Sequence, residues 1–564
     1  MTALVGNGGR PRLANIKQKV TLVAQVRLIV VLGLFALAIT TLLLRLFYYG
    51  AFEGQVQRSL VSTDVIPVRA DLVDRNGVPL ARNMKMRALR VIPEKILGDK
   101  NKLAMQLAEI FPDTPASTFL KAMKKDRPSY LRRRLVPEDA NKVHALGEVG
   151  FEFPREDERF YPQHGLAAHV LGYVDADRKG VMGMEKALEE RLVDPAKLAE
   201  PAALSIDIRV QAALESELGA TMKKHSARGA TGVVLDVHTG EVLAMASLPE
   251  FNPNKIDATA LRHQVNDVTY SVYELGSTFK PLTVAAALDA GTVTNLATRY
   301  NATEPLKVGR FRIKDDHAQG RYLNVPEALV HSSNIVTARL ADNLGKERME
   351  EMFRKLDFDD RPEIELVEAG RPLWPQNWGR VTNMTVSYGH GIAVTPMHLA
   401  SAYAALVNGG IWRPATLEKV GPDKADPGRR VFKASTSARI RQLLRMIVSD
   451  GTGRKADAPG FRIGGKTGSA EKPKGGGYSK SSLVSTFAAA FPMDDPKYVV
   501  ITMLDEPKGI AETFGQRTAG WTAAPVVKRL VPRIGPMLGV VPDESRDVDV
   551  SELTPLLWRP KGES

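Results

Sequence analysis

The sequence predicts an α/β layered domain carried on an elongated α+β pedestal and tethered by one N-terminal transmembrane helix. Three observations lead there. Thr231 to Ala246 alternates as two apolar strands around a Thr239-Gly240 turn, and strand-like runs return at 484–491 and 498–504, with helical spacing at 281–290, 335–343 and 396–407 between them. The region before residue 204 mixes strand and helix patterns without that layering. Leu28 to Leu44 is uncharged and strongly apolar.

Taken in order, residues 1–27 carry Arg10, Arg12, Lys17, Lys19 and Arg27 and no acidic residue, which marks a cytoplasmic flank. Residues 28–49 reach about 33 Å as a helix, one hydrocarbon thickness. Tyr48 and Tyr49 suit the far interface, and Arg45 either snorkels outward or meets a polar group of a partner helix. The small-x-small triplet Ala36-Leu37-Ala38 lies inside the apolar run, so an uncleaved anchor is expected, with the rest of the chain outside the cytoplasm. Residues 50–203 form the expected pedestal. Val65 to Gly77 reads as extended chain closed by an Asn-Gly turn, and 102–111 and 137–146 have helical spacing. Residues 204–540 form the layered domain, with Gly475-Gly476-Gly477 as a flexible loop. Residues 541–564 are polar and read as a loosely ordered tail.

Composition narrows the function classes. A chain of 564 residues is too long for one compact core. Its 44% hydrophobic and 25% charged content is ordinary for globular protein. The net charge of +13 favours anionic neighbours, acidic headgroups or a pyrophosphate-bearing substrate, while no nucleic-acid motif appears among the basic residues. The absence of cysteine excludes disulfides and thiolate metal sites. No metal site or cofactor is expected.

Three short motifs carry the chemistry: Ser277-Thr278-Phe279-Lys280, Ser332-Ser333-Asn334 and Lys466-Thr467-Gly468. Each is cheap alone, and a lone Ser-x-x-Lys reads as an ordinary exposed turn. Their order and context set them apart. Ser277 and Lys280 share one helix face, Gly276 frees the backbone before the turn, and Pro281 is tolerated in the first turn. A serine at a helix N-terminus faces free N–H groups that favour an oxyanion. Lys280 can serve as general base if burial and a cation such as Lys466 depress its pKa. Ser332-Ser333-Asn334 reads as a helix N-cap, as a polar relay with an amide for substrate, or as both. Gly464-Gly465 before Lys466-Thr467-Gly468-Ser469 lets a peptide pair on a strand edge, where Lys466 and Thr467 can grip a carboxylate. The N–H groups of Ser277 and Ser469 are the candidate oxyanion hole.

With their surroundings, these motifs resemble the class B penicillin-binding transpeptidases, most closely the septal FtsI type. Arg69 to Gly77 resembles that family's first pedestal motif, with Ala70 where glycine is usual. Arg159-Phe160-Tyr161-Pro162, His169 to Val174 and Gly183-Met184-Glu185 resemble its later pedestal motifs, and Thr239 to Met245 and Ser387-Tyr388-Gly389-His390-Gly391 its catalytic domain. The resemblance implies that Ser277 is acylated, Lys280 is the base, and Ser332 and Asn334 serve as relay and binding group. It gives Lys466, Thr467, Gly468 and Ser469 the substrate carboxylate and backbone. It implies a D,D-transpeptidase that cross-links peptidoglycan stem peptides ending in D-Ala-D-Ala and is acylated by β-lactams at Ser277. It further implies a septal, single-pass inner-membrane protein with a periplasmic catalytic domain, partnered by an FtsW-type lipid-linked glycan polymerase and other division proteins. Leu275 replaces the common proline and Ser469 the common threonine. An elongation-type class B transpeptidase, a carboxypeptidase or β-lactam sensor, and a non-catalytic division scaffold are the alternatives; the pedestal and the Ser387–Gly391 stretch favour the septal type.

Overall fold

The computed structural model describes residues 11–48, 69–474 and 477–558. Arg10, Tyr49, Val65 to Val68, Gly475-Gly476 and residues 559–564, each named above, lie outside the described residues. The chain divides into two units, 1–67 and 68–564. In the first, Pro11–Tyr48 is one helix. Its Val26–Arg45 stretch has a mean hydropathy of 2.5 and is long and apolar enough to cross a membrane. Thr40 and Thr41 return their hydroxyls to the carbonyls of Ala36 and Leu37, so neither leaves an unsatisfied donor in the apolar run.

The second unit opens on a sheet organised by one long strand, Pro79–Val91. This strand pairs with Ser129–Leu135, Arg155–Phe160 and Phe151–Glu152, all antiparallel. Leu72–Val73 pairs with it and, in parallel, with Ala202–Ala203, so the start and end of the pedestal close on each other. The turn after Val73 is held by the Asp74 carboxylate, which accepts from the N–H groups of Asn76 and Val78. Helices Lys100–Ile110, Ala116–Met123 and Pro137–His144 cover one end of the sheet. Their apolar faces (Leu103, Leu107, Phe119, Val143) bury against Leu89 and Val91.

A buried ionic knot fixes the other end. Glu185 is fully buried. Its Oε2 accepts from Arg69 Nε at 3.0 Å, and its Oε1 from Arg159 Nε at 2.7 Å and the Tyr161 hydroxyl at 3.2 Å. Arg69 also donates to the Glu185 and Arg178 carbonyls, and Arg159 to that of Ala70. These residues come from three of the four resembling pedestal motifs, all but His169 to Val174, so three motifs converge on one carboxylate.

The layered half is a five-stranded antiparallel sheet in the spatial order 464–474, 477–491, 498–505, 229–236, 242–248. Its strands are buried on both faces, so apolar residues of opposite parity enter different cores. Val233, Leu235 and Met245 face the helices Lys280–Asp289, Asn334–Leu344, Pro396–Val407 and Ala434–Ser449. Val234, Leu243 and Ala246 face Ile208–Lys224 and Ala524–Ile534. The tail departs from expectation. Leu553 is 2% exposed and residues 543–558 hydrogen-bond along the domain, because Val548, Val550, Leu556 and Leu557 place an apolar rhythm within its polar text.

Truncating this carboxylate strands the buried Arg159 guanidinium and leaves Arg69 with Glu189 as its ion-pair partner at 2.8 Å. Glu185→Ala is expected to lower stability by about 3–5 kcal/mol, read as a fall in the thermal unfolding midpoint by circular dichroism. A midpoint within a degree or so of the parent would show that the knot contributes little.

Candidate active site

The serine turn is assembled by tight backbone packing. Gly276–Phe279 is a single 3-10 turn leading into helix Lys280–Asp289, with Pro281 in the helix's first turn, where its missing N–H costs nothing. In 3-10 geometry residues three apart stack directly, which brings the side chains of Ser277 and Lys280 to one side. Gly276 holds φ +55°, and its N–H donates to the Gly389 carbonyl. A Cβ on Gly389 would lie 2.2 Å from the Gly276 carbonyl oxygen, so only glycine admits this contact. Thr278 and Phe279 are buried on either side, the Thr278 carbonyl accepting from the Tyr403 hydroxyl and Phe279 packing on Phe353 and Phe358. Ser277 itself stays accessible and lines a cleft of about 380 Å³ with Ser332, Thr452, Thr467, Ser469 and Trp521.

Below the cleft lie two fully buried lysines. Lys280 Nζ donates to the Ser332 hydroxyl at 3.0 Å and to the Ser332 carbonyl at 2.5 Å. Lys466 Nζ donates to the same hydroxyl at 3.0 Å and to the Thr467 carbonyl and hydroxyl. Both lone pairs of Ser332 Oγ are thereby occupied and its proton is left to be given away. Burial lowers Lys280 to about 7, against the opposing pull of Asp315 and Asp316. Burial, then the neighbouring Lys280, holds Lys466 well below its ordinary value. Ser332 sits at φ +62°, in the left-handed region that a side chain enters at a cost. It is kept there by the helix Val325–Val330 behind it, whose Leu329 carbonyl accepts its N–H.

The edge strand completes the cleft. Thr467 Oγ1 donates to Thr452 Oγ1 at 2.9 Å, and Ser469 Oγ accepts from the Ala519 N–H at 3.0 Å. Gly468 lies flat against the serine turn, where a Cβ would meet the Leu275 carbonyl at 2.3 Å. Ser277, Lys280, Ser332, Lys466, Thr467, Gly468 and Ser469 are thus brought together. Asn334, two residues after Ser332, donates its amide to the Lys314 carbonyl at 2.8 Å. Of the same motif it is Ser333 that caps the helix, accepting from the Val336 N–H and donating to Asp315.

Asp315, Thr452, Lys455 and Trp521 were not singled out by sequence. Only Gly451-Thr452-Gly453 offered a signal, as a turn ending a helix. Lys455 lies 4.0 Å over the Trp521 ring at the cleft wall. Glu274 Oε1 accepts from the Gly391 N–H and the Tyr478 hydroxyl, which ties the Ser387–Gly391 stretch to the residue just ahead of the serine turn.

The chain is similar to known proteins over most of its length. The penicillin binding protein transpeptidase domain matches residues 230–531, and the penicillin-binding protein dimerisation domain residues 64–194. The probable peptidoglycan D,D-transpeptidase FtsI of Caulobacter vibrioides is 40% identical over 92% of this chain and 89% of its own length. Peptidoglycan D,D-transpeptidase FtsI of Escherichia coli K12 is 30% identical over 89% of this chain and 88% of its own. The fold is shared with penicillin binding protein 3 of Mycobacterium tuberculosis, solved with aztreonam: TM-score 0.66 at 24% identity, over 85% of this chain and 97% of that one. With its apolar N-terminal helix, the chain belongs to the membrane-anchored FtsI-type peptidoglycan D,D-transpeptidases, the class B penicillin-binding proteins.

Proposed function

We propose that this chain cross-links peptidoglycan stem peptides during septal wall synthesis, through an acyl-enzyme on Ser277. One observation carries the reading: an accessible serine and an open strand edge flank one cleft, above two buried amines that share the Ser332 hydroxyl. Neutral Lys280 takes the Ser277 proton as Oγ bonds to the carbonyl carbon of the penultimate D-alanine. The N–H groups of Ser277 and Ser469 hold the oxyanion. The C–N bond then breaks, and the leaving amine of the last D-alanine receives a proton passed from Lys280 through Ser332. An acceptor amine on a neighbouring stem attacks the ester, its surplus proton goes to Lys280, and Ser277 regains its hydrogen. The terminal carboxylate of the donor supplies Lys466 with the counter-charge that burial withholds, and Thr467 hydrogen-bonds it. Asn334 keeps one amide N–H on the Lys314 carbonyl, and its second N–H and its Oδ1 are the groups offered to a substrate amide.

The FtsI relatives support the septal role, and the basic flank and apolar helix support a single-pass inner-membrane anchor with a cytoplasmic N-terminus and periplasmic catalytic part. Residues 50–203 are proposed as the pedestal, and an FtsW-type glycan polymerase and other division proteins as partners that bind the anchor and the pedestal. β-Lactams acylate Ser277 as mimics of the dipeptide end. Midcell enrichment of a fluorescent fusion checks the septal role, and uniform side-wall signal rejects it.

Ser277→Ala is expected to abolish covalent penicillin labelling in a folded protein, with intact-mass spectrometry locating the parent adduct on Ser277. An adduct on another serine overturns the assignment. Because Lys280 acts as a neutral amine, its competence is present above about 7 and lost below it. Acylation by a chromogenic cephalosporin, followed by stopped flow, is therefore expected to accelerate as pH rises through that value. Lys280→Arg, which stays charged, should slow it by about 100-fold or more.

A further inference from the structure

The helix that presents Ser332 is only six residues long, Val325–Val330. Its C-terminal turn holds the relay loop: Leu329 O accepts from Ser332 N–H at 3.2 Å and Ala328 O from Ser333 N–H at 2.7 Å. Its N-terminal turn is held from outside by the C-terminal segment. The Leu556 carbonyl accepts from Asn324 Nδ2 at 2.7 Å, and the Trp558 N–H donates to Glu327 Oε1 at 3.0 Å. Glu327 is fully buried and also accepts from Arg321 at 2.7 Å and the Asn324 N–H at 3.0 Å. The Trp558 ring lies 5.0 Å from the Arg321 guanidinium. Upstream, the segment is pinned to helix Ala434–Ser449 by Arg445 to Asp547 at 2.8 Å and Gln442 to the Asp549 carbonyl at 2.7 Å, and by burial of Leu553. The segment thus runs as a strap that ends on the helix whose far end sets the relay hydroxyl.

We propose that residues 554–558 are a positioning element for the proton relay, acting on Ser332 through the Val325–Val330 helix. Two contacts at one end of a single-turn-and-a-half helix, about 9 Å long, control a hydroxyl at the other. That hydroxyl works only while both lysine amines reach it at 3.0 Å. Ser332 gains no hold from its own backbone preference, since it sits at positive φ. Loosening the N-terminal turn lets the relay hydroxyl drift from the two amines. Substrate binding along the 464–474 edge is left intact, so the loss falls on the chemical step and not on affinity.

This inference rests on the Ser277 acyl-enzyme reading, and the experiment separates the two. Full-length protein in detergent is compared with a chain ended after Leu553, which keeps the buried leucine and the Arg445–Asp547 pair. The second variant is Asn324→Ser, which keeps an N-cap oxygen for Glu327 but removes the donor to Leu556. Stopped-flow acylation by a chromogenic cephalosporin gives the acylation rate constant and the non-covalent dissociation constant separately. The expected result is a 5- to 20-fold lower rate constant in the shortened chain and a smaller fall in Asn324→Ser, with dissociation constants within about twofold of the parent. Equal rate constants in all three overturn the positioning role, as does a loss confined to the dissociation constant. Should the shortened chain fail to fold, Asn324→Ser decides alone by the same criterion. A parent chain that is not acylated at Ser277 defeats the catalytic reading instead.

Discussion

Two fully buried amines share one hydroxyl at the floor of the cleft, and the structure is arranged around that. A buried ammonium is costly unless it is paired. Lys280 and Lys466 are given hydrogen bonds but, among the described residues, no ion pair to a carboxylate, so burial lowers the proton affinity of both and favours the neutral amine at Lys280. The cost is spread over the domain: Asp315 braces the Ser333 cap, a left-handed Ser332 is held by the helix behind it, and glycines at 276, 389 and 468 let three backbones meet where side chains would separate them. Each of these is a small local expense that makes sense only as support for the amine pair.

The sheet supplies the rigidity this demands. Because its strands are apolar on both faces, the helix bearing Lys280 and the strand bearing Lys466 belong to packed layers that cannot slide independently. The pedestal follows a different logic. Its catalytic-side end converges on the single buried carboxylate of Glu185, and Asp74 and Asn76 carry the connection to the start of helix Ile208–Lys224 through the Ile208 N–H and the Asp207 carboxylate. These hydrogen-bonded corners act beside shared apolar burial, since Leu72, Val170, Leu171 and Met184 belong to the same core as Val233 and Phe251.

Much of this was legible in the chain because it is locally encoded. The 229–248 hairpin, the helices near 281, 335 and 396 and the paired late strands announce themselves by period, and the serine turn by its glycine and proline. The nearness of Lys280 and Lys466 was legible as chemistry, because a lysine three residues after a serine needs a second cation or burial to lose its proton. What escaped is set by long-range contact. Asn334 resembles a substrate-facing amide, and the Lys314 carbonyl, brought in by an intervening hairpin, takes one of its N–H groups. Asp315 and Thr452 carry no pattern of their own, since their meaning comes from Ser333 and Thr467. The final segment looked unstructured because Val548, Val550, Leu553 and Leu556 are spaced among acids and prolines, and their partners lie over a hundred positions upstream.

The 464–474 strand is the outermost member of its sheet, and an uncapped border of that kind ordinarily invites promiscuous association between molecules. Here the border is recessed: the serine turn stands on one side and the Thr452, Lys455 and Trp521 wall on the other. Beside Thr467 and Ser469 the free border therefore opens into an enclosed cleft of about 380 Å³ and not onto a flat face, a shape that suits one extended chain better than the rim of a folded neighbour.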